Sequence, residues 1–395
     1  MSAKARNRRI FGTIAFGTVA LGIAIGWWGW TTRRSFEGVL TEMSWRPLMS
    51  RGYEPPGDFP PPPALLEDGP GHILTTPAEL WVSYNLTDLR DQPMLRPKKA
   101  GAIRPLGDPA SFRPDAEPLV LVHGINGQPA DLQAVVQRFR NDPRFQLYIY
   151  AYDDMGQRTS INGRQLAEEI HARFSATPRL TIIAHSMGGL VTLSALCVLA
   201  DDPQAPPMRV LTIDTPWHGF SGPADSGMGS VAMWFARPFL PDGLEDMRSE
   251  SRMFVGGGSR DPLDTQGVYG VDLPADLELH MVFAADGDAI LNYREGKLAL
   301  LSKTLAGHYA DRTPVTGEPE LVNAWRALQR SSDFPAFEAA AQTDPTPDAI
   351  ERQLEHYFPI FPGDHTGVLT EQEEGLPEAA ARWVYTGAFF AQPPS

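Results

Sequence analysis

The chain of 395 residues carries 48 acidic against 34 basic side chains, a net charge of −14, and 42% of it is hydrophobic. That balance fits a globular protein with a core and excludes a wholly disordered chain. Lys4, Arg6, Arg8, Arg9, Arg33 and Arg34 precede the first acid, Glu37, so residues 35–395 hold 48 acids against 28 bases, or −20. A body that acidic repels a phosphate backbone, so no nucleic-acid partner is expected. The one cysteine, Cys197, excludes an intramolecular disulfide, a Cys-rich zinc site and an iron–sulfur cluster.

Ile10 to Trp30 is an uncharged run of 21 residues. At about 1.5 Å per residue a helix of that length reaches roughly 31 Å, enough to cross a hydrocarbon core. Trp27, Trp28 and Trp30 stand at its far end, where amphipathic rings favour the headgroup level. The cationic excess before the run predicts a single-pass anchor with the N-terminus in the cytoplasm and the body on the other side. A cleaved signal peptide, with Gly22 and Ala24 as the small-residue site, and a buried core helix are the competing readings. Gly22 and Gly26 have the spacing of a helix-dimer motif, although glycine is common in membrane helices anyway.

Pro47, Pro55, Pro56, Pro60 through Pro63, Pro70 and Pro77 follow. Proline lacks a backbone donor and favours extended, semi-rigid spacers, which predicts a stalk. Residues 78–115 carry no assignable pattern. The expected division is 1–34 as tail and anchor, 35–115 as stalk and extension, and 116–395 as the folded body.

Within the body, Leu119–Val122 is a short apolar run that predicts a buried strand. Leu132, Val135, Val136 and Phe139 have helical spacing. Phe145–Tyr150 alternates like a strand, and Ile161, Leu166, Ile170 and Phe174 mark a helical face. Leu180–Ile183 predicts a strand and Leu190–Ala200 a buried helix. Val210–Ile213 and Leu279–Phe283 predict two more strands. Strands alternating with helices imply a mostly parallel sheet covered on both faces, whose active site lies beyond the carboxyl ends of the strands.

Ala184-His185-Ser186-Met187-Gly188-Gly189 follows one such strand and opens a helix. It has the pattern G-x-S-x-G of a nucleophile elbow, with Ala184 in the first glycine's place. Small residues must flank the serine, because larger ones would clash where strand and helix meet. The turn presents the serine oxygen, and the helix start aims N–H groups at an anion. An ordinary capping serine at a glycine-rich helix start is the bland alternative.

His123-Gly124-Ile125-Asn126-Gly127 follows the first strand. With the elbow it resembles the α/β-hydrolase superfamily, in particular its serine lipases and esterases. The resemblance implies an α/β-hydrolase fold with cap insertions and a Ser–acid–His order along the chain. It implies that the backbone N–H groups of Ile125 and Met187 form the oxyanion hole and that His123 holds the loop. Asp364-His365-Thr366-Gly367 looks like the family's histidine loop, making His365 the base, with His308 a minor rival and His356 on a solvated face. Asp288 precedes the apolar pair Ile290 and Leu291 and is the expected acid, with Asp286 and then Asp214 as alternatives. The Asp214-Thr-Pro-Trp217-His218-Gly219 loop also resembles lipases, where it borders the acyl pocket, which puts Trp217 among the substrate-binding candidates.

The interval from Ser186 to Asp288 is 102 residues, and that from Asp288 to His365 is 77. Both exceed what connecting units need. Segment 219–278, with Met233, Trp234 and Phe235, is a candidate cap over a fatty substrate or else core of an enlarged domain. Segment 292–358 is a second insertion, with helices expected near Glu318–Arg330 and Pro347–Tyr357. The stretch from His123 to Leu193 is also similar to the GPI inositol-deacylase-like hydrolases, membrane-associated esterases of lipids. The whole reading is a membrane-anchored serine hydrolase of carboxylic esters, with a lipid or other acyl-ester substrate and no metal or cofactor. Acyl transfer or amide cleavage on the same triad, and an inactive fold that only binds, are the alternatives.

Overall fold

The computed structural model describes residues 101–106, 112–124, 132–139, 141–154, 157–219, 243, 246–258, 262–284, 297–361, 369, 375–387 and 389. Among them a seven-stranded sheet runs β1 (Ala102–Pro105), β3 (Phe145–Ala151), β2 (Glu117–Val122), β4 (Leu180–His185), β5 (Met208–Ile213), β6 (Leu277–Ala284), β7 (Ile360–Phe361). Only β1 is antiparallel to its neighbour; every other described pairing is parallel. The carboxyl ends of β2 through β7 therefore share one edge.

Parallel strands buried on both faces read as apolar runs, as β2 and most of β4 do, while Arg209 and Thr212 interrupt β5. Alternate side chains enter two cores. Val120, Val122, Ile182, Ala184, Val210 and Met281 face one of them. Helices α2 (Thr159–Phe174) and α3 (Met187–Leu199) supply Leu166, Ile170, Leu190 and Val191 to it. Leu119, Leu121, Ile183, Leu211 and Val282 face the other, against α1 (Gln133–Phe139) and α10 (Leu376–Thr386). The five strands and the first three helices expected in the body are thus present.

Three details differ from expectation. Ile161 is 39% exposed, whereas Leu166, Ile170 and Phe174 are buried. At 100° per residue the last three step by about 40°, but Ile161 sits about 140° away from Leu166. Strand β1 lies in the stretch with no pattern: it is four residues long, sits at the sheet edge and ends in a proline that cannot donate. Strand β7 has two residues, too few to alternate.

Segment 246–266 contributes two short helices, α4 (Arg252–Val255) and α5 (Pro262–Gln266). Segment 297–357 folds as α6 (Lys297–Asp311), α7 (Pro319–Leu328), α8 (Phe334–Thr343) and α9 (Pro347–Tyr357). Helices α7 and α9 lie where the sequence predicts them, and proline opens both. Leu301, Leu305, Trp325, Phe337, Ile350 and Leu354 join the core that covers Leu279, Met281 and Phe283 of β6. These helices complete one face of the sheet. Among the described residues no helix is long and apolar enough to cross a membrane; Ile10–Trp30 lies outside them.

Candidate active site

Strand β4 ends at His185 and α3 begins at Met187. Ser186 joins them with φ 54° and ψ −130°. Only Asp214 and Arg312 share a positive φ among the described non-glycine residues. Such backbone costs about 1–3 kcal/mol and persists where the surroundings enforce it. Here Ser186 N–H donates to the Ile213 carbonyl and Gly189 N–H to the Ser186 carbonyl, both at 2.9 Å. Close approach does the rest. A side chain at Gly188 would collide with the carbonyls of Val122 and His123, and a Cβ on Gly124 would stand 2.8 Å from that of Ser186. The requirement for small residues around the serine is met by backbone contact between the ends of β2 and β4.

The end of β2 is held by Tyr152. Its hydroxyl donates to the His123 carbonyl at 2.6 Å, and its ring stacks on the imidazole at 4.4 Å. Burial pushes the Tyr152 phenol well above its ordinary value, so it stays a donor. His123 Nδ1 lies 2.8 Å from the Gly124 carbonyl and the side chain is buried. The residue is built into the loop.

At the end of β5, Asp214 (φ 46°) donates its N–H to Val282 at 2.8 Å, and its Oδ1 accepts from Ala284 N–H at 3.2 Å. The following loop is clamped from two sides. Tyr269 hydroxyl donates to the Trp217 carbonyl, and Asn323 Nδ2 donates to the Ser249 and His218 carbonyls at 2.9 and 3.3 Å. Trp217 is 3% exposed and packs in the core that holds Met253, Phe254 and Tyr269.

Of the other described histidines, His308 and His280 have partners of their own. His308 Nδ1 lies 2.5 Å from the Thr313 carbonyl at the end of α6, and His280 Nδ1 lies 2.8 Å from Asp333 Oδ2. His356 is exposed on α9, as expected of a solvated face. Ile125, Met233, Trp234, Phe235, Asp286, Asp288 and His365 lie outside the described residues. Their neighbours are placed, however. Strand β6 ends at Ala284, four residues before Asp288, and β7 ends at Phe361, four before His365. Among the described residues no group of three or more His, Cys, Asp or Glu is arranged to hold a metal ion.

Residues 116–238, which span β2 through the elbow and the loop after β5, match the family model described as "Putative serine esterase (DUF676)". This segment is similar to a serine-esterase domain, and the match covers under a third of the chain. Among solved structures, the chain is similar to the mature lipase BlEst2 of Bacillus licheniformis at 24% identity, over 38% of this chain and 60% of that one, with a TM-score of 0.27. Aspergillus fumigatus lipase B matches at 19% identity over 33% of this chain and 31% of its own, with a TM-score of 0.26. An extracellular α/β-hydrolase from a Paenibacillus species matches at 10% identity over 69% and 99%, with a TM-score of 0.30. The chain thus spans less than two thirds of either lipase. No curated protein matches it.

Proposed function

We propose that the chain is a membrane-anchored serine hydrolase that cleaves carboxylic esters of a lipid or similar acyl substrate. The observation that carries this reading is the left-handed backbone of Ser186 at the β4–α3 junction. A strained turn that presents one hydroxyl at the carboxyl edge of a parallel sheet has little structural use and a direct catalytic one.

Ser186 Oγ attacks the ester carbonyl while His365 takes its proton. The oxyanion is held by the N–H groups of Ile125 and Met187, the latter at the start of α3, where helix N–H groups have no intrahelical partner. His365 then returns the proton to the leaving alcohol, and water, activated by the same imidazole, releases the acid. Asp288 fixes the imidazole tautomer. Parallel β4, β6 and β7 support this order, because all three strands end at the same sheet edge. Asp214 is engaged by Ala284 N–H, which favours an acid after β6. Trp217, Met233, Trp234 and Phe235 are assigned to the acyl side, and Ile10–Trp30 to a retained anchor with the body outside the cytoplasm.

The test is a chain-length series of aryl esters presented to the full-length protein in neutral detergent. Turnover that rises with acyl length supports the lipid-ester reading. Absence of turnover at every length contradicts it.

A further inference from the structure

A cavity of about 260 Å³ opens between the first turns of α2 and the segment that carries α4 and α5. Arg158, Arg164 and Arg252 line it, with Ser160, Asp246 and Asp264. Three guanidinium groups in one cavity are out of proportion in a body of 28 bases against 48 acids. Arg158 approaches Asp246 at 4.0 Å, and Arg252 has no ion-pair partner among the described residues. Among the described residues the charged side chains of the wall sum to +1.

Local chemistry breaks a rule here. Helix starts favour Ser, Thr, Asp or Asn at the cap and acids in the first turn, because the free N–H groups there attract negative charge. Helix α2 has Arg158 at its cap, no side-chain cap bond and no acid in its first turn. Placing a cation at the positive end of a 16-residue helix opposes helix formation. Violations of that kind mark function. The arginines, the Ser160 hydroxyl and the helix start all suit the same guest, an anion.

The cavity and Ser186 both lie on the carboxyl side of the sheet. Helix α2 follows the carboxyl end of β3, which is separated from β4 by β2 alone. Two strand spacings of about 4.8 Å separate the ends of β3 and β4 by roughly 10 Å along that edge. Gly243 reaches the same edge, since a side chain there would collide with the Asp154 carbonyl. Ile161, Met253 and Leu263 give the cavity an apolar component, with Ile161 39% exposed at its rim. An anionic group attached to an apolar chain meets both requirements.

We infer that this cavity is a headgroup subsite, taking a phosphate-bearing group on the non-acyl part of the ester, so that the substrate class is anionic acyl lipids. The inference rests on the serine-hydrolase reading for its substrate, and on the cavity alone for its ligand. Full-length Ser186→Ala in neutral detergent, titrated with dihexanoyl phosphatidylglycerol and with dihexanoylglycerol, separates the two. The phosphate-bearing ester is expected to bind at least tenfold tighter, with millimolar inorganic phosphate competing and added salt weakening the preference. Arg158→Gln, Arg164→Gln and Arg252→Gln together abolish that preference. In the active protein they lower the ratio of kcat/KM for the anionic over the neutral ester at least tenfold. Should the triple variant fail to fold, Arg252→Gln alone, exposed on α4, lowers the same ratio about threefold. Equal affinity for the two esters, an unchanged ratio in the variants, or binding of inorganic phosphate without any lipid preference overturns the headgroup subsite. A headgroup preference in a protein that hydrolyses no ester overturns the hydrolase reading and leaves the subsite standing.

Discussion

Oδ1 of Asp214 accepts the backbone N–H of Ala284 at 3.2 Å, so the carboxylate that ends β5 holds the last residue of β6. The same β6 end leads to Asp286 two residues on and to Asp288 four residues on. Asp214 thus supports the strand from which the proposed acid departs. Asp214→Asn leaves the carboxamide able to accept, and is expected to retain most turnover. Asp288→Asn is expected to lower kcat about 10²–10⁴-fold through the wrong histidine tautomer. Steady-state kinetics of the two variants, with Asp286→Asn beside them, check the assignment. A larger loss in Asp286→Asn moves the acid to that residue.

The strained backbone of Ser186 makes a prediction about stability. Glycine adopts φ 54° without steric penalty, whereas alanine keeps it. Strain of about 1–3 kcal/mol is partly offset by the entropy that glycine loses on folding, about 0.5–1 kcal/mol. Ser186→Gly is therefore expected to be about 1 kcal/mol more stable than Ser186→Ala in urea unfolding. A glycine variant less stable than the alanine one would remove strain from the account of the elbow.

Acid sensitivity should trace to Asp142. Its carboxylate accepts from Arg144 Nη2 at 2.6 Å and Nε at 3.0 Å, from Arg144 N–H at 2.9 Å, and from the Tyr385 hydroxyl at 2.8 Å. These donors, the Arg144 guanidinium first among them, hold Asp142 well below the usual carboxylate range. The Tyr385 phenol is pushed up to about 12, by burial first and then by its bond to Asp142. A carboxyl depressed in the folded state contributes stability that is complete above its unfolded value near pH 4 and is lost as pH falls through the folded value. The Tm difference between wild type and Asp142→Asn is expected to be largest near neutrality and to shrink below about pH 4. A difference independent of pH would show that the carboxylate's charge does not tie α10 to the start of β3.

The anchor is tested by topology. A reporter fused after Ser395 should be active only outside the cytoplasm, and alkaline carbonate should leave the protein with the membranes. A soluble mature chain beginning near Ile25 would mean that the segment is a cleaved signal.

Much of the sheet is written in the sequence because β2, β4 and β5 are buried on both faces, and burial on both faces favours mostly apolar strands. The elbow was equally legible, since the approach of Gly188 to the carbonyls of Val122 and His123 admits almost nothing but glycine. Edge elements were not. Strand β1 is held by backbone pairing to β3, with Arg104 buried in it, and β7 by two residues paired to Phe283 and Ala284. Neither needs a periodic pattern. Helix α6 did carry a signal, because Leu298, Leu301, Leu305 and Ala306 are buried at helical spacing. The role of α6–α9 in completing the core beside β6 depends on long-range packing that no local pattern encodes. The arginine-lined cavity is of the same kind: Arg158, Arg164 and Arg252 meet only once α2 and α4 are folded.

The central claim is that Ser186 is the nucleophile. Its most direct measurement is the intact mass, with peptide mapping, of the full-length protein after reaction with an alkyl fluorophosphonate. The account predicts one phosphonyl adduct, located on Ser186, absent from Ser186→Ala and strongly slowed in His365→Ala. An unlabelled wild-type protein, or an adduct that persists when Ser186 is replaced, would contradict it.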